Sequence, residues 1–254
     1  MVIYSKIRLM KLSYKDYNFN DSLRMMDSVF EAPSDVIRDS DSIPSKEMLN
    51  AKNAYFVFCT VVYIRLLGVT ASMESNQEAY YKVNKVALGE FIALCRSYQQ
   101  CEDVDICNQT VTVVLNTRYK KDIDDVISLV SKIRSIVDVI NLKLSKRQNP
   151  LIKIAIGIDY GKGLMMKLSD DSNKEQTDVC WLGDVVNQAI LLSSFAGKSY
   201  LDGPIMISDT IYANLNEDNK KMFKRNITHN CYHGSLQNKR MNEWCKENLN
   251  SATL

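Results

Sequence analysis

Three observations predict an α+β fold for this chain of 254 residues. Ala54–Leu67 is an apolar run rich in Val, Tyr, Phe and Thr, the content of a buried strand. Residues 75–98 and 122–144 repeat apolar side chains at helical spacing. Short apolar or alternating runs surround these helices at 104–115, 153–168 and 204–207. In chain order the core reads β-α-β-β-α-β, a ferredoxin-like split βαβ pattern, followed by an αβ extension.

Residues 1–50 are polar and irregular, with a weak helix around Asn20–Glu31 and a turn-rich run from Arg38 to Ser45. They read as an N-terminal arm leading into the domain, which spans 51–230. The first helix carries Tyr80, Val83, Ala87, Phe91 and Leu94 on one face, and Ser75 with Glu78 forms a capping box. Val104–Leu115 reads as two strands around the turn-like pair Asn108-Gln109. The second helix is the clearest, with Ile123, Val126, Ile127, Val130, Ile133, Val137, Ile140 and Leu144 in one stripe and Pro150 beyond its end. Lys153–Ile158 and Gly161–Leu168 read as a hairpin turning at Asp159-Tyr160-Gly161. Gly183–Phe195 then reads as a helix, Pro204–Ile207 as a strand and Asp209–Leu215 as a short helix. Residues 231–254, rich in Asn and Lys, read as a polar C-terminal extension held by Trp244.

Composition narrows the function classes. With 32 basic and 30 acidic residues the net charge is +2, so no global field points to nucleic acid or to an anionic membrane. The absence of an aromatic pair on a central strand argues further against a nucleic-acid binder. The stretch Ala54–Met73 is as long as a membrane span, but Arg65 in its middle makes it a strand instead. His229 and His233 are the only histidines, and no cysteine pair stands at zinc-finger spacing. Seven scattered cysteines and an N-terminus interrupted by Lys6, Arg8, Lys11 and Lys15 place the chain in the reducing cytoplasm.

The segment Ile154–Ala196 carries the chemistry: a strand, a polar loop, and then Trp181-Leu-Gly-Asp-Val-Val-Asn-Gln-Ala189 entering a helix. This segment resembles the part of class III nucleotide cyclases that bears a transition-state asparagine. More narrowly, the chain is similar to the pyrimidine (uridylate or cytidylate) cyclases of Pycsar anti-phage systems. The matching pieces are Asp41-Ser-Ile-Pro44, Asn53–Cys59, Gly157–Lys167, Trp181–Ala189, Cys231-Tyr-His-Gly234 and Met241-Asn-Glu-Trp244, in order over nearly the whole chain. The resemblance implies a cyclase catalytic domain working as a head-to-tail dimer, with a site shared between the chains. In that chemistry the ribose 3′ oxygen attacks the α-phosphorus and pyrophosphate leaves, with two divalent ions held by two aspartates.

The family's metal aspartates have no counterpart here. Aligned with the first family strand, Val61–Thr70 puts Arg65 in the first carboxylate position, and Cys59–Thr70 holds neither Asp nor Glu. At the hairpin, Asn108 and Gln109 replace Gly-Asp, and a neutral amide oxygen is a poor substitute for carboxylate toward a hard cation. Arg65 is expected either to contact a phosphate or to pair with Asp103 or Asp105. The other half of the family site is kept in part, since Asn187 holds the asparagine position. Asn187 is read either as that catalytic donor or as a helix-start residue bonding nearby backbone. Leu191 stands where purine cyclases place an arginine. Lys162 and Lys167 match basic positions of the pyrimidine-cyclase hairpin, and are read equally as phosphate contacts or as solvated strand-end lysines.

The expected function is therefore a metal-site-defective pseudocyclase, acting as dimer partner or regulator. Asn187 is its catalytic residue, and Lys162, Lys167, Arg65 and Gln109 are its substrate-binding residues. The partner is a second copy or an intact cyclase chain, and a pyrimidine nucleoside triphosphate is a possible ligand. No cofactor is expected for this chain alone. The alternative is an active cyclase making cUMP or cCMP from UTP or CTP, which would require Mn or Mg.

Overall fold

The computed structural model describes residues 16–33, 36–50, 53–69, 76–168, 178–199 and 202–250. Its centre is β2 (Ala54–Leu67), fourteen residues long, paired antiparallel along its whole length with β5 (Lys153–Leu168). On its other side β2 pairs with β4 (Thr110–Leu115), which forms a hairpin with β3 (Cys101–Cys107). Beyond β5 lie β7 (Ile205–Ile207), β9 (Cys231–Gly234) and β8 (Lys224–Asn226), giving a sheet ordered β3-β4-β2-β5-β7-β9-β8. Two further strands join it: β1 (Ile37–Ser40) pairs with β2, and β6 (Asp178–Leu182) with β5.

Alternation along β2 separates the two layers. Val62, Ile64 and Leu66 face α2 (Gln77–Arg96) and α3 (Lys120–Ser145), where Phe91, Ile127 and Ile133 are fully buried. Burying side chains of this size contributes about 1.5–3 kcal/mol each. The whole stripe expected on α3 is buried in this layer. Tyr55, Val57, Cys59 and Val61 face the opposite way, toward α4 (Asp184–Phe195). The sheet is completed at its far end by α5 (Asp209–Asn214) and α6 (Glu217–Lys220), while α7 (Lys239–Asn250) stacks Trp244 under Lys143 of α3.

Several expectations are corrected. The residues 159–161 do not turn, because β5 runs straight through them, and its hairpin partner is β6. Gly161, the last residue of the expected turn, sits instead under α4 together with Gly157 and Gly163. Ser75 lies outside the described residues; the side chain of Asn76 caps α2 by accepting from the Ala79 N–H at 2.9 Å. The arm contributes β1 to the sheet. Strands β8 and β9, on either side of residue 230, pair with each other. The weak helix forms as α1 (Phe19–Phe30), capped by Asn18, with no buried residue.

Candidate functional site

The start of α4 is fixed by glycine chemistry. Gly183 holds φ 125°, a region that strains any L side chain, and its carbonyl accepts from the Val186 and Asn187 N–H groups at 3.1 and 3.2 Å. Val185, Ala189 and Leu192 point into the sheet at helical spacing. The strand beneath is shaped to receive them. Gly161 and Gly163 face Val185, and a methyl on Gly157 would collide with the Ala189 carbonyl and the Ser193 N–H. Close backbone contact thus sets the height of α4, and Asn187 is carried to the exposed side of its first turns.

Asn187 opens onto a pocket of about 500 Å³ whose wall includes Asp159, Asp184, Ser208, Asp209 and Thr210. Its side chain makes no hydrogen bond among the described residues, so it is not spent on capping the local backbone. Asp159 is buried at the base of this pocket. Burial pushes its carboxyl above the ordinary value, and the Asp184 charge adds to the rise. The Ser208 hydroxyl and the Tyr160 backbone act against it. Asp209 is ion-paired with Arg225. Among the described residues no lysine or arginine lines the pocket. Its amides, hydroxyls and carboxylates suit a hydroxyl-rich ligand surface better than a bare phosphate. Asp159, Ser208, Asp209 and Thr210 were missed in the sequence. The available signal was a single carboxylate between glycines in an otherwise apolar strand, Gly157-Ile-Asp-Tyr-Gly161.

The other predicted residues divide between two places. Arg65 lies near the end of β2, half-buried, opposite Thr110 of β4 and Ala155 of β5. Its alternation places it with Tyr63 on the α4 side of the sheet. Gln109 does not join it. Its side chain lies 3.4 Å from Tyr80 Oη and 3.4 Å from Asn84 Oδ1 of α2, on the opposite side. The reason is the two-residue period: Gln109 shares its side with buried Val111 and Val113, while Thr110 shares that of Arg65. Nor does Arg65 pair with Asp103, which receives Lys46 Nζ at 2.7 Å and Trp181 Nε1 at 3.1 Å.

Lys162 also faces away from α4, because it falls between Gly161 and Gly163. It pairs with Asp39 of β1 at 2.5 Å and lies 5.0 Å above the Phe56 ring. Lys167 opposes Val179 at the outer end of β5. The exposed Glu47 carboxyl there is held below its ordinary value by its own backbone N–H and Ser45, and to a lesser degree by Lys167. One chain therefore does not gather Arg65, Gln109, Lys162, Lys167 and Asn187. Even Arg65, level with Ala155, and the pocket base at Asp159 are four residues apart along β5, roughly 13 Å.

The divalent ions that this fold family implies do not fit the residues present. The sheet face at the end of β2 offers an arginine and a threonine, and no cluster of three metal-ligating side chains occurs among the described residues.

Comparison with known proteins agrees with this architecture. The chain is 26% identical over 259 residues to a uridylate cyclase of Gulbenkiania mobilis, covering 94% of this chain and all of the relative. A uridylate cyclase of Treponema porcinum is 23% identical over 205 residues, covering 80% of this chain and 71% of the relative. Among solved structures, the adenylyl cyclase CyaB from P. aeruginosa superposes with a TM-score of 0.57 at 19% identity, over 68% of this chain and 85% of that one. No family model matches the chain. The protein has the catalytic-domain fold of the class III nucleotide cyclases. In sequence it is similar to the uridylate cyclases, which it matches over most of its length. Among the described residues no helix is long and apolar enough to cross a membrane.

Proposed function

We propose that this chain is a pseudocyclase of the pyrimidine-cyclase group. It docks with an intact cyclase chain and supplies Asn187 to the site formed between them. The observation that carries this reading is the sheet face at the end of β2, where Arg65 stands opposite Thr110 and no carboxylate is in register. A metal pair cannot form there without negative charge to hold it. The pocket side remains equipped. Asn187 is exposed, its side chain is free of hydrogen bonds within the described residues, and it is held in place by the α4–β5 contact. In a shared site it would donate to oxygen atoms that gain charge as the ring closes. The names of the two relatives support uracil as the base.

A second reading, an active uridylate or cytidylate cyclase, is favoured by the similarity to uridylate cyclases along 94% of the chain. The two are separated by assaying cyclic nucleotide formation from UTP and CTP with Mn, first with this protein alone and then mixed with an intact homologue. The pseudocyclase reading expects product only in the mixture. In that mixture Asn187→Ala lowers turnover by about 10²–10³, the usual cost of removing one preorganised donor. Product from this chain alone would refute the reading.

A further inference from the structure

The α4 side of the sheet carries an arrangement that the proposed role of Asn187 does not use. Tyr63 and Arg65 alternate on this side of β2, and Thr112 and Thr110 of β4 stand opposite them in register. Arg65 is half-buried on a strand that is otherwise apolar here, and no hydrogen bond or ion pair reaches its guanidinium among the described residues. The Tyr63 and Thr112 hydroxyls are equally without partners there. Thr110 differs, since its hydroxyl already donates to the Cys107 carbonyl at 2.6 Å. Neighbouring strands are about 4.8 Å apart, so Arg65, Tyr63 and Thr112 stand together on one patch of the sheet face.

The carboxylates nearest in register do not neutralise it. Asp103 is taken by Lys46 and Trp181, and exposed Asp105, opposite Thr112, forms no ion pair with Arg65. A half-buried cation that lacks a counter-charge attracts an anion. Its planar fork matches the oxygens of a phosphate chain. The pocket around Asn187 has no cation among its lining residues, so a nucleotide's phosphates need a positive site elsewhere.

We propose that Arg65, with Tyr63 and Thr112, forms a metal-independent site for an oligophosphate, the tail of a nucleoside triphosphate. Arginine there takes over the charge neutralisation that metal ions supply in proteins with aspartates in this place. The inference rests on the proposed loss of the metal pair, but not on any partner chain or on Asn187.

Isothermal calorimetry of the whole protein in excess EDTA tests it, with inorganic tripolyphosphate and UTP as separate probes. The wild type should bind both, with affinity falling as salt rises. Arg65→Gln should weaken both about ten- to a hundredfold. Arg65→Lys should recover part of the loss, and Thr112→Val should weaken both by a smaller factor. Because neither a partner chain nor turnover enters this measurement, failure of the partner role and failure of this site are distinguishable. Far-UV circular dichroism confirms that each variant is folded. Should Arg65→Gln not fold, Tyr63→Phe with Thr112→Val carries the test. Absence of tripolyphosphate binding by the folded wild type would overturn the proposal. So would binding that survives Arg65→Gln, or the paired Tyr63 and Thr112 variant, undiminished.

Discussion

Replacing Gly157 by alanine tests the contact that positions Asn187. The added methyl meets backbone rather than flexible side chain: the Ala189 carbonyl, the Ser193 N–H and, at 3.0 Å, the Leu192 carbonyl carbon. The Ala189 oxygen and Ser193 nitrogen stand closer still, so reaching ordinary van der Waals contact requires α4 to retreat by more than about 1 Å, or the strand to bend. Overpacking of a well-filled interior costs about 1–3 kcal/mol, and the upper end applies because no rotamer can relieve a backbone clash. For a domain of this size that corresponds to a melting temperature lower by roughly 4–12 °C. Thermal unfolding by circular dichroism measures the loss, and hydrogen exchange of the 184–195 amides reports whether α4 has lifted. An unchanged melting temperature with unchanged α4 protection would show that the helix does not rest on the strand backbone as described.

Two further perturbations probe the two sides of the site. The buried Asp159 carboxyl titrates above its ordinary value, so the folded state binds its proton more tightly than the unfolded chain. Its contribution to stability is fully present below the ordinary carboxylate range and is lost as pH rises through the folded-state value. Urea midpoints between about pH 4 and pH 7 should therefore fall for the wild type relative to Asp159→Asn, and parallel curves would contradict the assignment. Restoring carboxylates should be register-sensitive: Arg65→Asp with Thr110→Asp should create Mn binding detectable by calorimetry. Arg65→Asp with Gln109→Asp should not, since residue 109 faces α2; equal Mn binding by both would refute the facing of the hairpin.

What was legible in the sequence follows from the strength of periodic signals. The α3 stripe and the unbroken apolar run of β2 each have one physical solution, a helix with one buried face and a buried strand. The asparagine helix was legible because Gly183 and the residues after it form a local motif. Less legible were features set by contacts distant in sequence. Asp159-Tyr160-Gly161 reads locally as a turn, and only the arrival of α4 over Gly157, Gly161 and Gly163 gives the run another purpose. The side of the sheet that Gln109 faces depended on pairing register at a hairpin tip, where a one-residue difference reverses every side chain. Asp103 and Lys46 are 57 residues apart, and nothing local announces their ion pair or its removal of a partner from Arg65. The capping residue of α2 differed by one position, within the ordinary uncertainty of helix ends.

The full-length pairing of β2 with β5 also has a consequence during synthesis. Its register joins Leu67 to Lys153 and Ala54 to Met166, so β2 waits for a partner about a hundred residues further along the chain. At translation rates of about 5–20 residues per second, that interval lasts roughly 5–20 s. Throughout it β2 has left the ribosome while its longest partner has not, and its apolar side chains and unpaired backbone stay open to other chains. The strand that bears Arg65 is thus exposed to association during that interval, and one charged side chain in its second half is a natural brake on aggregation.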